Sequence, residues 1–546
     1  LNISSQTVKS LENSGIIEVL EDNIYRNPVS SRHGEADYRF ELNLSQKSAV
    51  DTFIRDYDEG KRKTYLLYGV TGSGKTLCYM DMIEHVISQG KQVIMLIPEI
   101  ALTFQTVQRF YRRFGDSVSI LNSRMSKGER YDQFCRAING DISIVIGPRS
   151  ALFTPFLNLG LIVIDEEHEG SYKSERSPRY HARETAVHIA ETMNASVVLG
   201  SATPSVESFY RASKGEYTLL KLSERAAGAS LPSVYTVDLR EELKSGNRSI
   251  FSRKLRSLME DRLSKRQQVM LFLNKRGYAG FISCRSCGHV FKCPHCDISL
   301  TYHRDGRLVC HYCGYEETAH KVCPKCGSKY VSGFRAGTQQ IEEMINREFP
   351  SAEVLRMDMD TTSGKEGHEK ILSRFANHEA DILVGTQMIV KGHDFPDVTL
   401  VGVLAADMSL YGSDYRAAER TFQLLVQASG RAGRAEKSGE VVIQSYTPEH
   451  YSIVAAAAND YEGFYEEEIS YRKLLGYPPV NNMLQVMFSS DDRQRLEETC
   501  NDIKIWCTGS WTGNSISVAG PVPAQVYKVK DVYSQILCVR SADYKS

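Results

Sequence analysis

Short apolar runs that do not alternate with polar residues recur along most of the chain. They are Tyr65–Val70, Gln92–Pro98, Ile142–Gly147, Leu161–Asp165, Ser196–Gly200, Val269–Leu273, Asp381–Gly385, Leu400–Ala405 and Val441–Tyr446. Runs of this kind, separated by helical segments, mark strands buried on both faces of a parallel sheet. There are enough for two α/β sheets, one expected over residues 42–225 and one over 226–450. Ahead of them, residues 4–13 carry a short helical pattern that Ser14-Gly15 ends, and Ile16–Leu20 and Ile24–Arg26 alternate around Glu21-Asp22-Asn23 as a small hairpin. Residues 1–30 read as the end of a winged-helix domain or equally as another α+β edge, with a polar linker over 31–41. Since the chain opens in mid-domain on Leu1, a longer parent protein is expected. Residues 451–546 change character, with the acidic, aromatic segment Asp460–Tyr471 before Gly476-Tyr477-Pro478-Pro479, and read as a small α+β C-terminal domain.

Composition adds two constraints. The 546 residues balance 66 Lys+Arg against 67 Asp+Glu, so the net charge of -1 gives no global sign of a nucleic-acid partner. No run approaches the ~18–20 apolar residues of a membrane span, and no signal segment opens the chain, so a soluble, cytoplasmic protein with no membrane partner is expected.

The first apolar run leads into Gly69-Val70-Thr71-Gly72-Ser73-Gly74-Lys75-Thr76, and a helix follows over Leu77–Ser88. Glycines let such a loop wrap phosphates closely, its N–H groups and the helix N-terminus face the anion, Lys75 reaches the β- and γ-phosphates, and Thr76 ligates Mg²⁺. A nucleotide hydrolase also needs carboxylates at a neighbouring strand end. Asp165-Glu166-Glu167-His168 supplies them, Asp165 for Mg²⁺ and Glu166 to position and deprotonate the attacking water.

Further segments follow in a fixed order: Gln46 in Leu44-Ser45-Gln46-Lys47, Pro98–Leu102, Gly147–Ser150, Gly200-Ser201-Ala202-Thr203-Pro204, Gly385-Thr386-Gln387 with Lys391-Gly392-His393-Asp394, and Gln427 through Arg434. This series resembles the superfamily 2 helicases with an Asp-Glu-x-His box. The resemblance implies two RecA-like lobes with ATP in the cleft between them, Gln46 and Gly392 at the nucleotide, and His168, Ser201, Thr203 and Gln427 coupling it to the nucleic-acid path. Gln427, Arg431 and Arg434 fall at i, i+4 and i+7 and are expected on one helical face, Arg431 and Arg434 acting as arginine fingers from lobe 2.

Eight of the 13 cysteines lie between Cys284 and Cys326 as four C-x-x-C knuckles. Four knuckles make two tetrahedral zinc sites of four cysteines each. Disulfides suit a reducing cytosol poorly, and glycines after the knuckles favour zinc over iron–sulfur ligation. The favoured pairing is nested, with Cys284, Cys287, Cys323 and Cys326 on one ion and Cys293, Cys296, Cys310 and Cys313 on the other; sequential pairing is the alternative. Around this insert, residues 284–330 of lobe 2, the neutral average breaks down. Residues 253–336 carry a formal +10, about +6 after two Zn²⁺ and eight thiolates are counted, interleaved with Phe281, Phe291, Tyr302, Tyr312, Tyr315, Tyr330 and Phe334. That mixture suits phosphate contacts plus base stacking by a minority of the rings.

The Cys-rich insert, the Asp-Glu-Glu-His box, the tract Ser171-Tyr172-Lys173 through Arg179-Tyr180-His181-Ala182-Arg183, and Gly520-Pro521-Val522-Pro523 together resemble the PriA (primosomal protein N′) family of replication-restart helicases. The resemblance implies an ATP- and Mg²⁺-dependent 3′→5′ DNA helicase, a monomer found at the nucleoid. It further implies binding of forked and single-stranded DNA, contact with single-strand binding protein, and work with primosome and helicase-loading proteins. It also marks Tyr172, Tyr180 and His181 as candidates for sensing DNA. A duplex translocase, an RNA helicase and an assembly scaffold with a secondary motor are the competing readings.

Overall fold

The computed structural model describes residues 5–19, 41–98, 104–123, 125–224, 232–273, 282–303, 306–332, 337–358, 361–362, 367–389, 395–412, 414–433, 439–510 and 516–542. Two fully parallel sheets dominate it. The first has seven strands in the spatial order Val118–Ile120, Ile144–Gly147, Gln92–Leu96, Leu159–Asp165, Ser196–Ser201, Thr64–Gly69 and Thr218–Leu222. The second has six, in the order Val354–Met357, Ile382–Gly385, Gln268–Phe272, Val398–Val403, Glu440–Ser445 and Ser233–Asp238. These are the two RecA-like lobes. The four strands that the apolar runs did not reveal, Val118–Ile120, Thr218–Leu222, Ser233–Asp238 and Val354–Met357, are the four sheet edges.

Register decides where the chemistry gathers. Asp165 pairs with Gly200, and Ser201 pairs with Tyr68, the residue before Gly69. Three sequence-distant motifs therefore leave the carboxyl ends of adjacent strands side by side, where ligands of open α/β sheets bind.

The Cys-rich insert sits between Phe272 and the helix Thr338–Glu348 as a two-stranded and a three-stranded antiparallel sheet. The C-terminal strands Asn482–Ser490, Ile516–Val529 and Val532–Ser541 form an antiparallel sheet with the helix Arg493–Ser510. The helices Tyr451–Ala458 and Tyr461–Leu475 do not join that sheet's core. Tyr461, Phe464, Tyr465 and Ile469 lie in a hydrophobic cluster that also holds Leu199 and Phe209 of lobe 1 and Phe422 of lobe 2. The helix Tyr461–Leu475 is thus a bridge between the lobes.

At the N-terminus, Ser5–Asn13 is helical, as its pattern predicts. Residues 16–19 form no strand, and 20–30 of the expected hairpin lie outside the described residues, as does most of the 31–41 linker. Among the described residues no helix is long and apolar enough to cross a membrane.

Candidate nucleotide site, lobe interface and metal centres

The phosphate loop has the backbone its sequence requires. Gly72 and Gly74 take φ of 80° and 77°, left-handed values that a side chain would strain, and Gly74 caps the helix Lys75–Ser88. Gly69 is held for space, because a Cβ there would lie 2.6 Å from Ser73 Oγ and 2.7 Å from Leu222 Cβ. The loop fits a polyphosphate: Ser73 Oγ is buried with no hydrogen-bond partner, and Lys75 Nζ rests on the Gly69 carbonyl at 3.0 Å. The Val70 carbonyl accepts from Ser73 N (3.0 Å), and Thr76 is the second residue of the helix Lys75–Ser88. Gln46 closes it from behind. Its Nε2 donates to the Ser73 carbonyl (2.8 Å) and its Oε1 accepts from Asn43 N (2.8 Å) in the capping box of the helix Leu44–Asp58. Gln46 thus supports the loop from the protein side.

Asp165 is partly buried at the end of its strand. Burial, with Glu166 next to it, pushes its carboxyl up to about 6, opposed by Lys75 and by the Tyr79 hydroxyl, which donates to Oδ1 at 3.1 Å. Tyr79 was not singled out in the sequence, yet it lies one helical turn after Lys75, a spacing that shares a face. Gly200 makes room for it, since a Cβ at Gly200 would sit 1.5 Å from the Tyr79 hydroxyl. Glu166 follows with φ of 48°, a left-handed non-glycine at the strand end. Glu167 faces away from the cleft. It accepts from Arg183 Nη1 (2.8 Å), Ser205 N (2.6 Å) and Ser208 Oγ (2.9 Å); burial opposes its charge, and Arg183 and these donors hold it below the usual carboxylate range.

His168 connects the lobes. Its Nδ1 lies 2.7 Å from Ser201 Oγ, and its Nε2 lies 2.8 Å from Nε2 of Gln427 in the lobe 2 helix Ala417–Ser429. A neutral ring that donates from Nδ1 and accepts the Gln427 amide proton satisfies both contacts. Thr203 is buried, its N–H on Ser201 Oγ (2.9 Å) and its carbonyl accepting from Gln423 Nε2 (3.4 Å). Gly430 then brings lobe 2 onto the phosphate loop, where an added Cβ would meet Thr71 Cγ2 at 2.9 Å.

One expectation fails here. The helix ends at Ser429, so Arg431 lies past its end and does not continue the helical face of Gln427. Gly430 propagates a helix poorly and lies tight against Thr71; after it, N–H groups of Arg431 and Ala432 turn back onto the Ala428 and Ser429 carbonyls (3.0 and 3.3 Å). Arg431 is half-buried in that turn, and Arg434 and Gly392 lie outside the described residues. Tyr172 also differs from expectation. It is 1% exposed and its hydroxyl donates to the main-chain carbonyls of Leu96 (3.1 Å) and Asp165 (2.7 Å), so its ring has no face for a base. Tyr180 is partly exposed, edge-on to Phe153 at 5.1 Å. His181 caps the helix Ala182–Met193 by accepting from Arg183 N, and burial, with Arg183 adding to it, lowers its imidazole to about 4.

The interface is tied by a buried charge cluster that the sequence did not announce. Arg472 of the bridge helix, with no exposed surface, donates to Glu468 Oε1 (2.7 Å), Glu419 Oε2 (2.7 Å) and the Pro478 carbonyl (3.0 Å). Glu419 of lobe 2 accepts from Val206 N of lobe 1 through its other oxygen (2.9 Å), and Arg416 pairs with Glu207 at 2.6 Å.

The cysteines fall into two sets, Cys284, Cys287, Cys323, Cys326 and Cys293, Cys296, Cys310, Cys313, each with its sulfurs within 4.8 Å of one another. This is the nested arrangement. Measured separations of 3.4–3.7 Å are close to the ~3.8 Å between sulfurs on a tetrahedral ion with ~2.3 Å Zn–S bonds, so each set fits one Zn²⁺. All four knuckles use one turn, in which the residue after the second cysteine donates its N–H to the carbonyl of the first at 2.8–2.9 Å with positive φ. That residue is Gly288, Gly314, Gly327 and, in the fourth case, Asp297. Of the rings expected to stack on bases, Phe291 and Tyr312 are buried in the insert's own core. Tyr302 and Tyr330 are exposed, Tyr315 is half-buried, and Phe281 and Phe334 lie outside the described residues.

Residues 39–206 match the family described as "Type III restriction enzyme, res subunit", 293–317 the "PriA DNA helicase Cys-rich region (CRR) domain" and 328–436 the "Helicase conserved C-terminal domain". Replication restart protein PriA of Bacillus subtilis is 48% identical over 97% of this chain and 66% of its own length. The proteins of the same name from Chlamydia pneumoniae and Haemophilus influenzae are 39% and 40% identical, over 99% and 97% of this chain and 73% of theirs. The chain spans about two thirds of the length of the Bacillus protein. With two RecA-like lobes, two nested four-cysteine centres and this similarity over nearly its whole length, the chain belongs to the PriA replication-restart family.

Proposed function

We propose that this chain is the motor portion of an ATP-dependent 3′→5′ DNA helicase that opens stalled or abandoned replication forks and starts primosome assembly. The observation that carries the reading is the seating of lobe 2 on the nucleotide loop, through Gly430 against Thr71 and Gln427 on His168. In this reading Mg²⁺-ATP supplies the phosphoryl group whose transfer to water drives the cycle. Lys75 leaves the Gly69 carbonyl for the β- and γ-phosphates, while Asp165 and Thr76 hold Mg²⁺. Glu166, a third exposed at the strand end, orients and deprotonates the water. Arg431 and Arg434 approach from lobe 2, so hydrolysis requires closed lobes. Ser201, Thr203 and Gln427 relay that state through His168.

On the DNA side, Arg149 braces the loop after the acidic box by donating to the Ser171 and Lys173 carbonyls (2.8 and 2.6 Å). Exposed Lys173, Arg176 and Arg179, with Tyr180 and Phe153, offer phosphate and stacking contacts there. Single-strand binding protein and the primosome and helicase-loading proteins are the proposed partners of a monomer acting at the nucleoid.

The test is hydrolysis and strand opening by the wild type and Lys75→Ala. The variant should lose DNA-stimulated hydrolysis, and the wild type should open forks with a 3′ tail faster than forks with a 5′ tail. Unchanged hydrolysis in the variant, or the reverse polarity, would refute the proposal.

A further inference from the structure

Asp297 breaks a pattern. Three knuckles place glycine at their left-handed turn, whereas the first knuckle of the inner zinc set, Cys293–Cys296, places Asp297 there at φ 52°. A left-handed aspartate is disfavoured relative to glycine, so the side chain must find compensation nearby. It does so on the bridge helix. Tyr471 donates its hydroxyl to Asp297 Oδ2 at 2.9 Å, also reaching the Asp297 carbonyl at 3.3 Å, and Tyr477 donates to the carbonyl of the ligand Cys296 at 2.9 Å. Lys292 holds the same Asp297 oxygen at 3.1 Å. Tyr477 is fully buried between Tyr415, stacked at 5.0 Å, and the inner set's core.

The next residue along the helix is Arg472. It grips Glu419, whose other oxygen binds Val206 N, three residues past Thr203. A short chain of contacts, half-buried at Asp297 and Tyr471 and fully buried at Arg472, therefore runs from the inner zinc knuckle to the junction of the two lobes. Tyr471 and Arg472 are consecutive residues of one helix, and the remaining links are hydrogen bonds and ion pairs, so the helix joins the knuckle to the lobe junction by a contiguous path.

We propose that Asp297 is a positioning residue that docks the inner zinc knuckle on the bridge helix, so that the nucleotide-driven change at the lobe interface is transmitted to the zinc module. The unwinding consequence rests on the helicase reading above; the docking itself does not. Asp297→Gly isolates the role, because glycine is what the three sister knuckles carry at this turn and only the carboxylate is removed. Tyr471→Phe removes the partner hydroxyl without touching the knuckle.

The experiment compares hydrogen exchange of residues 293–313 in the full chain with and without a β,γ-imido ATP analogue. Metal content and strand opening are measured alongside. Both variants should keep two zinc ions per chain and basal ATP hydrolysis within about twofold of wild type. In wild type the analogue should change exchange at the knuckle. In either variant that response should vanish while the response of residues 69–76 persists, and basal exchange of the knuckle should rise roughly tenfold or more, as expected for loss of a charge-assisted hydrogen bond. Fork opening per ATP should fall in parallel. Persistence of the knuckle's nucleotide response in both variants overturns the proposal, as does a wild type whose knuckle ignores nucleotide. A wild type that opens no fork but shows the response removes the helicase reading and leaves the docking role standing.

Discussion

Gly200→Ala is a sharp test of how the acidic box is held. A Cβ at this position would lie 1.5 Å from the Tyr79 hydroxyl and 2.6 Å from its Cζ, so the ring must retreat by about 2 Å to regain an ordinary ~3.5 Å contact. It has little room to do so, because Tyr79 has no exposed surface and lies among Cys78, Met82 and Ile83 on a helix that begins at the phosphate loop. Overpacking of this kind costs about 1–3 kcal/mol. Pulling the hydroxyl from Asp165 forfeits a hydrogen bond to a carboxylate worth about 1.5–3 kcal/mol. The sum, about 2.5–6 kcal/mol, should appear as a lower urea midpoint of lobe 1. The displaced carboxylate should also raise the Mg²⁺ concentration needed for half-maximal ATP hydrolysis. Tyr79→Phe should cost only the hydrogen bond. The double variant should cost at least about 1.5 kcal/mol less than the two singles added, since both remove one shared bond and the phenylalanine also deletes the closest clashing atom. A Gly200→Ala protein with wild-type midpoint and Mg²⁺ dependence, or strict additivity in the double variant, would refute this account.

Arg472→Met should destabilise the lobe interface by about 3–5 kcal/mol, because it strands Glu419 and Glu468 in the interior. The triple variant Arg472→Met with Glu419→Gln and Glu468→Gln should recover most of that loss in the same urea titration; a triple variant no better than the single would contradict it. His181 and His450 are both lowered to about 4 by burial, so the native protein binds fewer protons than the unfolded chain between about pH 6.5 and 4. Stability is therefore complete above pH 6.5 and is lost as pH falls through that window, by roughly 2 kcal/mol per histidine at pH 5 at 1.36 kcal/mol per unit. Urea midpoints at pH 7.5 and 5 in wild type and His450→Asn should show a smaller acid loss in the variant, and equal losses would count against the assignment.

Much of the nucleotide site was legible in the chain because its chemistry is local. A phosphate loop is one turn between a strand and a helix, so Gly69 through Thr76 announce both their conformation and their ligand. Zinc knuckles are equally local, and two residues between cysteines suffice to identify a metal turn. The nested pairing required the fold to bring Cys284 to Cys326 and Cys293 to Cys313. Interior strands were readable for a related reason: a strand covered on both faces must be apolar at every position. The four edges escaped because Lys221 and Tyr235 face solvent there, Val354–Met357 alternates partly exposed with buried positions, and Val118–Ile120 is only three residues long.

What the sequence determined by itself was therefore the set of elements and ligands whose physics is contained in a few consecutive residues. The tertiary structure alone decided which distant groups meet. Helical periodicity carried the Gln427 helix on to Arg431, whereas the helix ends at Ser429, next to the close approach of Gly430 to Thr71. An aromatic loop residue, Tyr172, became a core strut, and the unremarked Tyr79, Glu419, Arg472 and Asp297 became the links between nucleotide loop, lobes and zinc module. Such links depend on burial and register between residues 53 to 174 positions apart, as in Glu419 with Arg472 and Asp297 with Tyr471. Periodicity cannot encode them, because the energy of a buried polar group is set by the partner it finds rather than by its neighbours in the chain.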